Sequence, residues 1–262
     1  MLRKLLKYDL KWCYKPLLVF YILAIFFSII TRIIESFEQT LMVLIIDKIC
    51  SGIVIAMLIS ILINCFMRVW VRVIRNIYKD ESYLTHTLPV SKNTIYLSKI
   101  LTAMITLLTS FAVIIGCIAI VFLNEISWDG LKQYLEQSAI FFNSSVFSLI
   151  LVLIITVFFE FLFLIISGIV GIILGYRSNH LKTVKSIISG FGIYMILSTF
   201  SVAVLYLAGF LNPDIMDAFQ NIEISSNAMK SIMFAGIVVY AVYNVILYWI
   251  GNHLLSKGVN VD

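Results

Sequence analysis

Charged side chains are scarce in this sequence. Asp, Glu, Lys and Arg together make up 13% of the 262 residues, which is about half of their share in a typical soluble domain. Hydrophobic residues make up 61%, and the mean hydropathy is +1.04. So little charge excludes a soluble globular domain. The composition predicts an all-α integral membrane protein, and we expect one transmembrane domain over residues 1–262.

Motifs that carry catalysis or cofactor binding are also absent. The sequence has no G-x-x-x-x-G-K-[ST] phosphate loop, no H-E-x-x-H metal motif and no G-x-S-x-G nucleophile elbow. Its four cysteines form no C-x-x-C pair and lie in or beside apolar segments, so we interpret them as small buried side chains. The basic residues lack the dense clustering of a nucleic-acid footprint. We therefore predict no enzyme activity, no metal or cofactor and no nucleic-acid partner for this chain.

Long apolar segments fill most of the chain. A helix needs about 20 residues to cross roughly 30 Å of hydrocarbon, and six segments come near or exceed that length. The predicted spans cover residues 16–34, 41–67, 95–123, 142–174, 184–211 and 231–250. Several are longer than one crossing requires, which predicts tilt or extension beyond the bilayer.

The basic residues predict the orientation of these spans. Residues 1–15, 68–99, 175–185 and 251–262 contain 15 of the 19 Lys and Arg residues. Because Lys and Arg favour the cytoplasmic side, these segments are predicted to be inside. Both termini of the multi-pass chain would then be cytoplasmic.

Residues 1–15 mix basic and apolar side chains. Arg3, Lys4, Lys7, Lys11 and Lys15 alternate with leucines and with Trp12. That spacing predicts an amphipathic helix lying on the inner membrane surface, with Trp12 at the interface. A simple cluster of charge that sets the topology is the alternative.

Two outer segments carry helix-start signals. One begins at Ser127 and the other at Asn212, which Pro213 follows. Each predicts either a short helix at the outer interface or a plain solvated loop.

The longest charged stretch between spans is residues 68–99. Apolar residues at helical spacing continue from Phe66 to Ile77, so the second span should extend past the membrane as an amphipathic helix. Residues 80–87 then offer a short polar helix or turn. Pro89 breaks the chain, and Ser91 is placed to cap the next helix. A short turn would suffice to join two spans, so a stretch of about 30 residues favours a docking role.

This stretch resembles a known family. The run over residues 80–91, DESYLTHTLPVS, and the pair Ser98-Lys99 are similar to the first cytoplasmic loop in permease subunits of ATP-binding-cassette (ABC) transporters of the type-2 exporter class. The resemblance implies an N-terminal interfacial elbow helix, six spans, and a cytoplasmic coupling helix within loop 68–94. It also implies a short re-entrant element between spans five and six. An ordinary solvated loop is the alternative for this run.

The resemblance also implies partners. Two permease chains, identical or homologous, would pair with two separate ATPase subunits that hold ATP and Mg. Residues 80–88 would dock into an ATPase groove, with apolar anchors at Tyr83, Leu84 and Leu88. Acidic side chains of the same helix would meet basic groups of the ATPase. The implied docking residues are Asp80, Glu81, Tyr83, Leu84, Thr85, His86 and Leu88.

Glu160 is an ionisable residue near the middle of span four. A charge there costs at least about 2.5 kcal/mol, so Glu160 should face protein or water. It shares a helical face with Thr156, and Ser167, Gly171 and Gly175 continue that helix at four-residue spacing, which permits close helix approach. Glu160 and Thr156 are candidates for a translocation pathway, and a hydrogen-bonded structural Glu is the alternative.

Asp47 and Lys48 lie one to two turns inside the predicted outer end of span two. An interfacial position is one interpretation. The other is an ion pair with Glu160 or a contact with substrate.

These features predict an exporter permease of a bacterial cytoplasmic membrane. An amphipathic or hydrophobic substrate fits the apolar chain, with an antimicrobial or other membrane-active peptide first and a lipid or drug second. The competing hypothesis is a membrane-embedded sensor or accessory subunit that binds a cytoplasmic partner through the same loop without transport. Co-purification of an ATPase would separate the two.

Overall fold

The computed structural model describes residues 1–38, 40–122, 125–142, 144–178, 180–221 and 225–257. Within these ranges the chain is all-α. In order, the helices are α1 (Leu2–Glu35), α2 (Leu41–Ile77), α3 (Ser82–Thr87), α4 (Lys92–Phe122), α5 (Glu125–Phe141), α6 (Val146–Gly175), α7 (Lys182–Gly209), α8 (Pro213–Gln220) and α9 (Ser226–Ser256).

Six of these helices are long and apolar enough to cross a membrane: α1, α2, α4, α6, α7 and α9. They coincide with the six predicted spans, which confirms an all-helical multi-pass membrane protein. Each of these helices is clearly longer than the 20 residues that one crossing needs. The sequence predicted that the second span extends beyond the membrane, and α2 does continue as one helix to Ile77. Their exposed Leu, Ile, Val and Phe side chains are the surface expected to face lipid.

The helices fall into two compact units. Unit 1 comprises Met1–Arg72 and Leu101–Gln133, and unit 2 comprises Val73–Ile100 and Tyr134–Asp262. The expectation of one transmembrane domain over the whole chain stays a prediction.

In unit 1, the buried face of α1 runs without interruption through Pro16. The buried side chains recur every three or four residues: Asp9, Cys13, Leu17, Tyr21, Ala24, Ser28 and Thr31. The Tyr14 and Tyr21 hydroxyls lie 2.8 Å from Thr109 Oγ1 and Ser110 Oγ of α4. Residues 1–15 and 16–34, which the sequence treated separately, therefore form one helix. Pro16 removes one backbone donor, and packing against neighbours allows a membrane helix to tolerate that loss.

Unit 2 is built around α6, which packs against α7 and α9. A Cβ at Gly171 would overlap the backbone of Gly190, and one at Gly175 would overlap Ser186, so α6 and α7 meet at backbone distance. This is the close approach that the four-residue spacing predicted. About two turns before Gly171 on α6, Phe163 packs among Tyr194 of α7 and Tyr240 and Tyr243 of α9.

The outer segments contain helices. Asn212 caps α8, with its Oδ1 accepting from the Asp214 N–H at 3.0 Å, as the Asn-Pro signal predicted. The segment at Ser127 forms part of α5, which begins at Glu125 and continues to Phe141. It is longer than predicted, and α6 begins later, at Val146, because Ser145 caps it through the Ser148 N–H at 3.2 Å. All four cysteines are buried and none of them forms a disulfide, as expected.

Candidate functional site

The charged loop of unit 2 contains the short helix α3. After α2 ends at Ile77, the Glu81 N–H donates to Arg75 O at 3.1 Å, which turns the chain back toward α2. Leu88 is extended, with φ −66° and ψ 137°, because the following proline disfavours the helical region. Ser91 Oγ then accepts from the Thr94 N–H at 3.3 Å at the start of α4. The predicted order of helix, break, short helix, break and helix is confirmed.

Helix α3 has a polar buried face and an apolar exposed face. Ser82 and Thr85 are 1% and 3% exposed, whereas Tyr83, Leu84 and Leu88 are 73%, 72% and 44% exposed. This is the reverse of a helix that packs its apolar side onto its own protein. The three exposed side chains, called here the α3 apolar face, are available to another molecule.

The two acidic residues before α3 differ in their surroundings. Asp80 is exposed, whereas Glu81 is half-buried and its Oε2 accepts from Asn76 Nδ2 at 3.1 Å. Glu81 therefore fastens the start of α3 to the end of α2. Thr85 is also turned inward, with Oγ1 donating to Glu81 O at 2.9 Å. Of the seven predicted docking residues, Asp80, Tyr83, Leu84 and Leu88 lie at the surface, and the side chain of His86 lies outside the described part of the chain.

Stacked tyrosines support the loop. The Tyr78 and Tyr176 rings stack with centroids 4.5 Å apart, joining the end of α2 to the end of α6. Tyr78 is 4% exposed, and its burial raises the pKa of the phenol well above the usual value of 10.0. The neighbouring Arg177 opposes this shift only in part.

A second tyrosine pair joins α4 to α9. The Tyr96 and Tyr248 rings lie 5.5 Å apart, and Tyr248 Oη donates to Asn93 Oδ1 at 3.0 Å. Tyr96 is fully buried over Gly251, where a Cβ would overlap its hydroxyl. Glycine at position 251 therefore allows the tyrosine ring to pack directly on the α9 backbone.

Two basic side chains bind carbonyl oxygens at the C-terminal end of α9. Arg177 Nη2 donates to Leu254 O at 2.7 Å, and Lys92 Nζ lies 3.5 Å from Ser256 O. Both contacts satisfy carbonyls that have no partner within the helix, where the helix dipole also favours positive charge. Together with the two tyrosine pairs, they form what is called here the tyrosine support.

Sequence reasoning missed the tyrosine support. Tyr78, Tyr96, Tyr176 and Tyr248 all lie close to the predicted inner ends of spans, so they resemble ordinary interfacial aromatics. Gly251 in an otherwise apolar helix was the one local signal of close packing.

Sequence reasoning also missed a buried ion pair in unit 1. Arg72 Nε donates to Asp9 Oδ1 at 2.7 Å, and these residues are 7% and 1% exposed. The Arg72 and Arg68 guanidinium carbons lie 5.6 and 5.8 Å from the Trp12 ring centroid. Asp9 is the only acidic residue in the basic segment 1–15, and that isolation was the available signal.

The predicted pathway residues of α6 have local surroundings in unit 2. Glu160 is half-buried and close enough to Tyr240 to interact with it electrostatically. Thr156 Oγ1 donates to Val152 O one turn earlier in α6. Next to Glu160, Asn244 of α9 donates to Phe159 O at 3.1 Å, so this part of the α6–α9 contact is polar.

Asp47 and Lys48 lie in unit 1, on α2. Their charged groups are 3.9 Å apart, and the Lys48 side chain is 75% exposed while that of Asp47 is 14% exposed. The exposed lysine favours the interfacial interpretation. A pair between these residues and Glu160 stays a prediction.

Among the described residues, no group of three or more His, Cys, Asp or Glu side chains is placed to hold a metal ion. Comparison with known proteins gives no match to a family model, to a curated protein or to a solved structure.

Proposed function

We propose that this chain is the permease subunit of an ATP-driven exporter of the ABC type-2 class, and that α3 is its coupling helix. The observation that carries the proposal is the inverted amphipathicity of α3. Tyr83 and Leu84 of α3 and Leu88 directly after it are exposed, whereas Ser82 and Thr85 of the same helix face inward. A groove in a soluble partner would bury this face, and tyrosine is one of the residues that most often dominate such contacts.

The tyrosine support gives α3 a mechanical role in this proposal. A force applied to α3 reaches α2 through the Glu81–Asn76 hydrogen bond and continues to α6 through the Tyr78–Tyr176 stack. Closure of two ATPase subunits around ATP and Mg would push α3 and rock the membrane helices between inward and outward access. ATP hydrolysis belongs to the ATPase in this mechanism, and the permease supplies no catalytic residue.

The proposed assembly places two permease chains in a bacterial cytoplasmic membrane, with both termini inside. Its support is the bias of 15 of the 19 Lys and Arg residues toward the segments predicted inside. The first turns of α1, which continue directly into the rest of that helix, would reach the inner interface in place of a separate elbow helix, and their lysines would contact anionic lipid there.

Transport of an amphipathic or hydrophobic substrate, with a membrane-active peptide first, completes the proposal. Glu160 is its candidate pathway residue, supported by the polar contact at Asn244 and by the cost of burying a carboxylate in hydrocarbon. Glu160→Gln should then lower the transport rate and alter its dependence on pH. An unchanged rate and pH profile would assign Glu160 a packing role.

The docking proposal is tested by purifying the tagged chain from its native membrane and identifying co-purifying proteins by mass spectrometry. An ATPase at a near one-to-one ratio is expected. The variant Tyr83→Ala with Leu84→Ala should reduce its recovery at least about tenfold, because truncated anchors commonly cost over 1.4 kcal/mol.

The matched control is Tyr134→Ala with Ile140→Ala in α5. These side chains are 73% and 78% exposed, similar to Tyr83 and Leu84, but lie away from the loop in sequence. Equal recovery of the ATPase with both double variants would contradict docking on α3. Recovery of another cytoplasmic protein and no ATPase would favour the sensor or accessory hypothesis.

A further inference from the structure

Unit 2 contains a cavity between the first turns of α6 and α9. Its volume is about 140 Å³. Apolar side chains form most of the wall: Phe142, Leu149, Val152, Leu153, Met233 and Phe234. The cavity is partly open to the outer surface of the helices, because Leu153 and Phe234 in its wall are 44% and 57% exposed, and it offers few polar partners to water. It therefore suits a segment of hydrocarbon rather than a cluster of water molecules.

The polar part of the wall is basic. Lys230, which is half-buried, contributes its side chain together with Ser144 and Ser148. Both helices also begin here, α6 after Ser145 and α9 after Ser225. The positive ends of two helix dipoles thus lie on the same side as the lysine. The cavity combines an apolar interior with a positively charged rim.

We propose that this cavity binds the end of one acyl chain of an anionic phospholipid, whose phosphate lies against Lys230. The apolar wall accommodates the hydrocarbon, and the lysine and two helix N-termini complement the phosphate. From Ser145 to Leu153 the helix rises about 12 Å, so chain and headgroup are both within reach of the wall. A zwitterionic lipid would supply the same chain, and its positive headgroup would offset the attraction to Lys230.

This site is independent of transport and of the ATPase. It concerns the composition of the lipid around unit 2, and it predicts that an anionic lipid occupies a fixed position there. Failure of the docking experiment on α3 would leave it intact.

The test uses the whole chain reconstituted in phosphatidylcholine nanodiscs. A small fraction of phosphatidylglycerol carrying a photoactivatable acyl chain is added, and phosphatidylcholine with the same chain serves as the neutral probe. Crosslinked residues are mapped by mass spectrometry. The anionic probe should label Val152, Leu153, Met233 and Phe234 about fivefold more than the neutral probe, as expected for one basic residue near a lipid phosphate.

Variants locate the two parts of the site. Lys230→Gln should remove most of the excess labelling by the anionic probe, because the two helix N-termini alone attract the phosphate more weakly, and Lys230→Arg should keep it because the charge is retained. Val152→Trp should fill the cavity and abolish labelling by both probes. Lys132→Gln is the matched control, since this lysine is exposed on α5 and should leave the ratio unchanged. Equal labelling by the two probes in the unaltered chain, or a ratio that survives Lys230→Gln with the cavity residues still labelled, would overturn the proposal.

Discussion

The two units anchor the ends of their helices in different ways. Unit 1 buries a charged pair, Asp9 and Arg72, beneath the Trp12 ring. Unit 2 packs neutral tyrosine rings at Tyr78 and Tyr96 and places Arg177 at the C-terminal end of α9, although it also buries the lysine Lys99 of α4.

The difference has energetic consequences. A buried ion pair is nearly neutral while intact, but the loss of one partner leaves a charge without compensation. Stacked rings lose only the packing of the part removed, and they are sensitive to added volume. The Asp9–Arg72 pair of unit 1 should therefore respond most strongly to changes of charge, and the Tyr96–Gly251 contact of unit 2 to changes of shape.

The largest effect is expected from breaking the ion pair. Arg72→Met removes the guanidinium that donates to the buried Asp9 carboxylate and should lower the free energy of unfolding by about 3–5 kcal/mol. Thermal unfolding in detergent measures this loss. Combining Arg72→Met with Asp9→Leu should recover most of it, because neither charge then remains buried.

The control for that experiment is Arg75→Met, three residues further along α2, where the side chain is exposed. Its effect should stay within about 0.5 kcal/mol. A loss of less than about 1 kcal/mol for Arg72→Met would show that the Asp9–Arg72 pair does not hold α1 and α2 together.

The next largest effect tests the sensitivity of unit 2 to shape. In Gly251→Ala the added methyl would overlap Tyr96 Oη, and since Tyr96 is fully buried the ring cannot move aside cheaply. We expect the free energy of unfolding to fall by about 1–3 kcal/mol. Thermal denaturation measures this loss.

Two further variants sharpen the interpretation. Gly236→Ala lies on the same helix with no atom near the new Cβ, so it should be neutral or stabilising. Tyr96→Phe should relieve only part of the Gly251→Ala defect, because it removes the hydroxyl that the methyl overlaps most and leaves the ring carbon Cζ, which would lie 2.6 Å from the new Cβ. Equal losses for both glycine variants would contradict the overlap.

The buried phenol of Tyr78 should make the stability of the fold depend on pH in the alkaline range. Its folded pKa is raised above the unfolded value of 10.0 by burial. The unfolded chain therefore loses the phenol proton first, and the stabilisation is complete below pH 10 and declines as the pH rises above it. The slope is at most about 1.4 kcal/mol per pH unit.

Thermal unfolding between pH 8 and pH 11 measures this decline. Tyr78→Phe should make it shallower, whereas Tyr83→Phe should leave it unchanged because Tyr83 is 73% exposed. If stability depended on pH in the same way in both variants, the Tyr78 phenol would not be the cause of the decline.

The smallest effect is expected on the α3 apolar face. Tyr83→Ala with Leu84→Ala should change the free energy of unfolding by only about 0.5 kcal/mol or less, since both side chains face outward. The same thermal assay decides this. A loss comparable to that of Gly251→Ala would mean that the face belongs to the core of unit 2.

The sequence predicted the elements of the fold better than their contacts. Apolar length alone located the six long helices, and local chemistry at Pro89, Ser91 and Asn212 located breaks and caps correctly. These signals depend on only a few neighbouring residues, so they can be recognised from the sequence alone. At Pro16 the same local rule suggested a boundary, and tertiary packing of α1 kept the helix continuous.

The candidate site was only partly predictable. Tyr83 and Leu84 were identified as outward anchors and are exposed, whereas Thr85 was grouped with them and is buried. On a six-residue helix, one position separates the two faces, and the direction of the buried face depends on Asn76 and Tyr78. The Asp9–Arg72 pair joins residues 63 positions apart, and no local pattern encodes such a partner.

The glycine contact between α6 and α7 also closes the space between these two helices. Where Gly171 meets Gly190 and Gly175 meets Ser186, not even a methyl group fits. No hydrocarbon tail or peptide side chain can slip sideways from the bilayer through that seam.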